Sequence, residues 1–313
     1  MKSISSVVKN QKILFISLVF AAFLALINES FWTQNNIFGL LIQLPAYGMA
    51  ALGLALSLIC GELNISMGSM MAFSGVFCAM LIPHVGFGPA VLLTLLASAI
   101  LGAVTGGVVS FLKIDSFVAT LAMMILVRGI ALALCNQTPV VVTDSLAIDL
   151  GMRTIGPIPV ITILFLIFIL VFEFLLKYTV FGRNLYAVGG SQEIAKSTGT
   201  NVKFYIFIIF VIFAVLSAVG GIFLMARLNT GSPIIADDGP LTVIPMVILG
   251  GTALSGGKGS ALNTLGGVLF MSLLMNAMNL YNITLNYQLL IKGVILLIMV
   301  VWDKYMENRN KKV

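Results

Sequence analysis

Charge and turn residues divide the chain into ten apolar runs: Ile13 to Ile27, Ile37 to Cys60, Ser66 to Ile82, Pro89 to Leu112, Asp115 to Leu134, Ile158 to Leu176, Phe204 to Ala226, Leu241 to Leu254, Ala261 to Leu280 and Leu285 to Val301. Nothing else constrains the fold so strongly. A peptide group in hydrocarbon has no water to bond, so a spanning segment must satisfy its own backbone, and runs of about 20 apolar residues do this as helices. We therefore expect an all-α polytopic membrane protein of about ten transmembrane helices, forming a single transmembrane domain over residues 1–313. The third and eighth runs are short, a property shared with the interrupted helices that line transport paths.

Only 9% of the residues are charged and 60% are hydrophobic, whereas soluble domains are about 25% charged. The formal charge of +6 does not indicate nucleic acid, because the basic residues sit at the ends of apolar runs and not on one face of a soluble domain. Those ends are unequal. With the N-terminus inside, Lys2, Lys9, Lys12, Lys113, Lys177, Arg183, Lys196, Lys203, Lys258, Lys304, Arg309, Lys311 and Lys312 fall in cytoplasmic segments, and Arg153 and Arg227 in external ones. That bias places both the N and C termini in the cytoplasm. The basic start followed by Ile13 to Ile27 lacks a small-x-small cleavage site and reads as an uncleaved first helix. Cys60, Cys78 and Cys135 lie inside apolar runs with no CxxC pair, so we expect reduced core thiols and no metal site.

The long central polar segment, Gly182 to Lys203 (GRNLYAVGGSQEIAKSTGTNVK), then faces the cytoplasm. Within it Glu193, Ala195 and Gly199 follow most of the EAA-x3-G pattern, which resembles the coupling segment of ATP-binding-cassette (ABC) permeases, with Ile194 in place of the middle Ala. A short amphipathic helix ended by Gly would offer a cytoplasmic ATPase a rigid knob to grip; a solvated linker is the other reading. Gly256, Gly257 and Lys258 do not make a P-loop, because Thr252 and Gly259 stand where Gly and Ser or Thr are required. The cluster Gly250, Gly251, Gly256, Gly257 and Gly259 instead fits a tight turn between two spans. No nucleotide site is assigned to this chain, so ATP, if used, is bound by another subunit.

Longer stretches carry a family likeness. GRNLYAVGGSQEIAKSTGTNV resembles the cytoplasmic loop of the ribose/xylose/arabinose/galactoside class of ABC sugar permeases. GELNISMGSMMAFSG (Gly61 to Gly75), TLAMMILVRGIAL (Thr120 to Leu132), VILGGTALSGGKGSALNTLGG (Val247 to Gly267) and NYQLLIKGVILL (Asn286 to Leu297) resemble further segments of that family, so the likeness runs from about residue 37 to 303. It implies the permease subunit of an importer that moves a monosaccharide or related small polar solute across the bacterial cytoplasmic membrane. The implied partners are a cytoplasmic ABC ATPase subunit, an extracytoplasmic sugar-binding protein and a second permease subunit, identical or a sister chain. By the same likeness Gly182, Arg183, Gln192, Glu193, Ala195 and Gly199 form the ATPase-coupling segment, and the chain binds no cofactor, ATP being used by the partner ATPase. Glu62 and Asn64 depart from the family pattern, which commonly has Gly and Asp there. Pro240 and Pro245 stand where many relatives carry an acidic, Ala-rich sequence.

Arg128 lies inside the fifth run, where a charge at helix-centre depth costs about 2.5 to 3.5 kcal/mol on insertion scales. Two readings stay open: a polar translocation cavity, with Glu62 or another helix's amide as partner, or snorkelling toward the outer surface. Lys292 poses the same choice. Asn64, Ser66, Asn276, Asn279 and Gln288 could bond a sugar's hydroxyls or join helices to one another. Glu62, Asn64, Ser66, Arg128 and Asn279 are the translocation-pathway candidates. Gly102 and Gly106 make a GxxxG pair that lets another helix approach, within the subunit or across a dimer. The external loops, Asn136 to Pro157 and Arg227 to Gly239, could receive a binding protein or merely join helices; the second carries Asp237 and Asp238. The alternative function is an ion-coupled secondary transporter, for which Glu62 and Arg128 are sparse material. A membrane-embedded enzyme finds little to work with in one His, no Cys cluster and no paired acidic motif within a span.

Overall fold

The computed structural model describes residues 12–27 and 29–310, with side chains over 13–27 and 29–305. Among the described residues, eight helices are long and apolar enough to cross a membrane: α2 (Gln34–Ile59), α3 (Met67–Val85), α4 (Phe87–Leu112), α5 (Ser116–Leu134), α7 (Val160–Tyr178), α10 (Val202–Leu228), α12 (Ala261–Leu280) and α13 (Leu285–Asn310). Two more apolar helices are shorter, α1 (Lys12–Ile27) and α11 (Gly239–Leu249). All ten expected runs are thus helical, eight of them at spanning length. Among the described residues there are also three small α-helices, α6 (Ser145–Met152), α8 (Val180–Gly190) and α9 (Gln192–Ser197), and a 3-10 turn at Glu29–Trp32.

The small helices are set by local capping. Asp144 accepts from the backbone N–H groups of Leu146 and Ala147, which starts α6 inside what reads in the sequence as a plain loop. Thr179 caps α8 through the Gly182 N–H, Ser191 caps α9 through the Ile194 N–H, and Gly199 at φ +84° follows the end of α9. The central polar segment is therefore two short helices.

Helix α10 is the axis of the bundle and packs against α2, α3 and α4. Small residues allow the approach: a Cβ on Gly220 would strike the Ala46 carbonyl, and one on Gly221 the Met71 carbonyl. Gly102 and Gly106 of α4 face Phe210 and Phe207 of α10, so that GxxxG pair serves packing within the subunit. Around this contact the core holds Met49, Leu52, Met71, Phe165, Phe210 and Phe213, all essentially inaccessible.

The two ends of the bundle differ in charge. Lys113, Lys177, Arg183, Lys196, Lys203, Lys258 and Lys304 lie at the end that carries α8 and α9, and Arg153 and Arg227 at the opposite end, near a ribbon in which Val140–Val141 pairs antiparallel with Thr230–Gly231. Lys2, Lys9, Lys311 and Lys312 lie outside the described residues, as do the side chains of Lys12 and Arg309.

Candidate functional site

Two helices start inside the bundle. A Cβ on Gly68, in the first turn of α3, would strike the carbonyl of Ala236, and one on Gly239, the first residue of α11, would meet the Gly68 backbone at 2.9 Å. The N-termini of α3 and α11 therefore abut. Both helices are reached by irregular chain: residues 60–66 climb from the α8–α9 end, and residues 232–238 descend from the other. The eleven residues of α11 rise only ~16 Å, short of a ~30 Å hydrocarbon layer, so the segment before it must dip inward to make up the distance.

Four charges meet at this junction. Arg128 stands ~18 Å by helical rise from Ser116, near the middle of the layer. Its guanidinium donates to the carbonyls of Pro233 and Ile235 and pairs with Asp237 at 3.4 Å. Lys292 of α13 pairs with Asp238, which also accepts from Thr242 Oγ1 at 3.1 Å and from the Tyr47 hydroxyl at 3.5 Å. Each carboxylate has a cation beside it, Arg227 lies within electrostatic reach of Tyr47, and the positive ends of two helix dipoles favour the carboxylates where they sit. The backbone is strained there: Ala236 holds φ +53°, uncommon for a residue with a Cβ.

Of the two partners open to Arg128 in the sequence, the structure chooses neither. Glu62 lies at the α8–α9 end, where it accepts from Gln192 Nε2 at 3.4 Å and also from Ser116. The carboxyl is pushed above its ordinary value, chiefly by burial; the Ser116 bond opposes this, the nearby Asp115 adds to it, and the Gln192 bond opposes it. Glu62, Gln192, Glu193, Lys196 and Lys203 line a cleft of ≈ 780 Å³. Asn64 Oδ1 accepts from Ser66 N at 3.0 Å and Ser66 Oγ at 2.7 Å, fixing the turn that starts α3. Asn279 is exposed near the end of α12 and accepts from Gln288 at 3.0 Å, while Asn276 exchanges hydrogen bonds with Asn36. These amides join helices, away from the charged junction. Of the remaining coupling residues, Gly182 packs tightly against the end of α7, Ala195 is buried under α9, and Arg183 is exposed.

The Asp237–Asp238 pair is not at the external rim, as the loop reading places it, because the loop folds in to meet α3. Its signal was in the sequence: Asp238-Gly239-Pro240 is a helix start, with Pro in the first turn, ahead of a run too short to span. Tyr47, Ser69 and Glu173 carry no such signal. Glu173, in α7, accepts from Ser260 Oγ at 2.9 Å and Leu262 N at 3.1 Å, so it caps α12 from a neighbouring helix. All three cysteines are free and buried.

Residues 36–300 match the family model described as branched-chain amino acid transport system / permease component. The chain is 34% identical to the ribose import permease protein RbsC of Escherichia coli, over 94% of this chain and 93% of that one. It is also 34% identical to the L-arabinose ABC transporter permease protein AraH of Azospirillum brasilense, over 96% and 88%, and 33% identical to RbsC of Bacillus subtilis, over 90% and 88%. No solved structure matches it. With eight membrane-capable helices and matches along nearly its whole length, the chain belongs to this family of multi-pass permease components of transport systems.

Proposed function

We propose that this chain is the permease subunit of an ABC importer in the bacterial cytoplasmic membrane, carrying a monosaccharide or related small polar solute. The named relatives are permeases for ribose and arabinose. The solute is delivered by an extracytoplasmic binding protein, the path lies between two permease subunits, and a separate ATPase subunit hydrolyses ATP. The α8–α9 end, rich in Lys and Arg, faces the cytoplasm.

One contact carries the coupling mechanism. Gln192 opens α9, the helix placed to receive the ATPase, and donates to Glu62 at 3.4 Å. Glu62 in turn begins the irregular segment that ends at Gly68, against the charged junction. A push on α9 therefore has a direct route to the mid-depth crossing, where a shift of residues 61–66 changes how α3 meets α11. The exposed side of α9 includes Ile194, 67% accessible, an apolar surface for the ATPase to grip. Replacing Glu193 by Ala and Gly199 by Val in the reconstituted complex is expected to leave membrane insertion intact and to separate ATP hydrolysis from solute uptake. Wild-type uptake by that variant would remove the coupling role from this segment.

A further inference from the structure

Resting on the importer reading, we propose that the cavity between α3, α5 and the start of α11 is a hydroxyl-recognition station, where a neutral sugar or polyol is held halfway across by Asp237, Arg128 and Ser69. The cavity measures ≈ 340 Å³ and is lined by these residues together with Met124, Leu132 and Pro240, within the range of small-molecule sites.

Two observations point to a ligand. Ser69 is 1% exposed and its Oγ has no hydrogen-bond partner, although it borders the cavity. A buried hydroxyl without a partner is costly, and a sugar hydroxyl would supply one. The second is Asp237, whose side chain is 85% exposed beside Arg128. A carboxylate so placed at mid-depth cannot face acyl chains, so its open side must meet water or protein. The neighbouring face of α5, with Ile125 66% exposed, belongs to the same surface. A second permease subunit set across it encloses the cavity, which is incomplete without that copy.

The donor set fits a neutral ligand. Asp237 accepts from one hydroxyl, Ser69 or a guanidinium N–H bonds an adjacent one, and Met124, Leu132 and Pro240 meet the C–H face of the ring. An anion is disfavoured, because Arg128 is already committed to Asp237 and two backbone carbonyls, with Asp238 close behind. A free cation is not needed, since each carboxylate already has a cation beside it.

The test uses the full complex, ATPase and binding protein included, in proteoliposomes, with tracer ribose and arabinose and a panel of other pentoses, hexoses and polyols as probes. Uptake by the wild-type complex tests the importer reading by itself. The ratio of variant to wild-type uptake, for whichever solute is carried, tests the station. Asp237→Asn and Ser69→Ala are each expected to lower that ratio about tenfold, the scale of one lost hydrogen bond to a polar or charged group. Ser98→Ala, which alters another buried, unpartnered hydroxyl that does not line the cavity, should transport as wild type. Wild-type uptake by both site variants overturns the station.

A second readout covers the case in which a variant fails to assemble. Gly129 borders the cavity and a Cβ there meets nothing within 4 Å. In Gly129→Cys, a charged, water-soluble thiol reagent should react, and the carried sugar should slow it at least fivefold while its phosphate ester does not. No reaction, no slowing, or equal slowing by the ester each overturns the proposal.

Discussion

At the mid-depth junction, Lys292 is buried and committed to Asp238, which also accepts from Thr242 and Tyr47 hydroxyls turned inward, while Arg128 and Asp237 border the cavity beside them. At the α8–α9 end, Lys113, Lys196 and Lys203 share an open cleft with Glu62, Asp115 and Glu193. The residue types are nearly the same, but the surroundings reverse their value. In a low-dielectric interior a charge without its partner costs several kcal/mol, so pairing there fixes geometry. In a wet cleft the same pair contributes ~0 to 1 kcal/mol and is easily exchanged. The junction is therefore suited to hold two helix N-termini in register, and the cleft to form and release contacts during a cycle.

The sharpest way to break this contrast is to remove one cation from each region. Lys292→Met strands Asp238 and should lower stability by about 3 to 5 kcal/mol, whereas Lys196→Met should stay within about 0.5 kcal/mol. Thermal unfolding of the detergent-solubilised chain measures both. Adding Asp238→Asn to Lys292→Met should recover most of the loss, because Asn removes the orphaned charge, keeps one acceptor oxygen for the Tyr47 hydroxyl and turns its NH2 toward the Thr242 hydroxyl, which can accept. Equal, small effects at both positions would mean that the junction is no drier than the cleft.

The same contrast explains how much was readable in the sequence. Hydropathy located the eight helices of spanning length, because a backbone in lipid has no alternative to internal hydrogen bonding, and two shorter apolar helices besides. It also marked Arg128 as anomalous. It did not find the partner, since Asp237 follows a stretch that looks like a surface loop, and only the inward dip of residues 232–238 brings the two together. Pairing Glu62 with Arg128 followed from charge alone, yet sequence position fixes depth only when the chain between is helical. Residues 60–66 are not, and Glu62 stays at the α8–α9 end. The amides at 276, 279 and 288 were ambiguous for another reason: an Asn facing a helix and an Asn facing a solute read identically until the facing residue is known.

A smaller effect is expected where the two regions are mechanically joined. Gly189, near the end of α8, lies against the Ile59 carbonyl and is 2.7 Å from Gly257 N when a Cβ is added; Gly257 N itself donates to Ile59 O at 3.0 Å. This glycine contact locks α8 to the end of α2 and to the turn at Gly256–Gly257, where φ is +87° and +70°. Gly189→Ala should cost about 1 to 3 kcal/mol through overpacking, and in the reconstituted complex it should reduce uptake more than ATP hydrolysis. Loss of stability with proportionate loss of both activities would make the contact a structural support and not part of the transmission.

The smallest predicted effect concerns Glu62 and carries the clearest sign. Its carboxyl is raised above 4.5, with burial the main cause. A carboxyl raised on folding binds its proton more tightly in the native state, so at pH values between its ordinary and its raised value the native state holds more protons than the unfolded one. Its contribution is therefore most favourable below pH 4.5 and declines as pH rises through the raised value. Glu62→Gln removes this penalty while keeping an acceptor for Gln192 and Ser116, so the variant should gain stability relative to wild type on going from pH 4.5 to pH 8, with a shift of no more than a few degrees in melting temperature. A difference in melting temperature that stays constant over that range would show that Glu62 is solvated like any cleft carboxylate. If the difference narrows as pH rises, the carboxylate is instead stabilised by its hydrogen bonds. In the first case the link from α9 to residues 61–66 would have to run through the glycine contact at Gly189 and not through Gln192; in the second the Gln192 contact carries it.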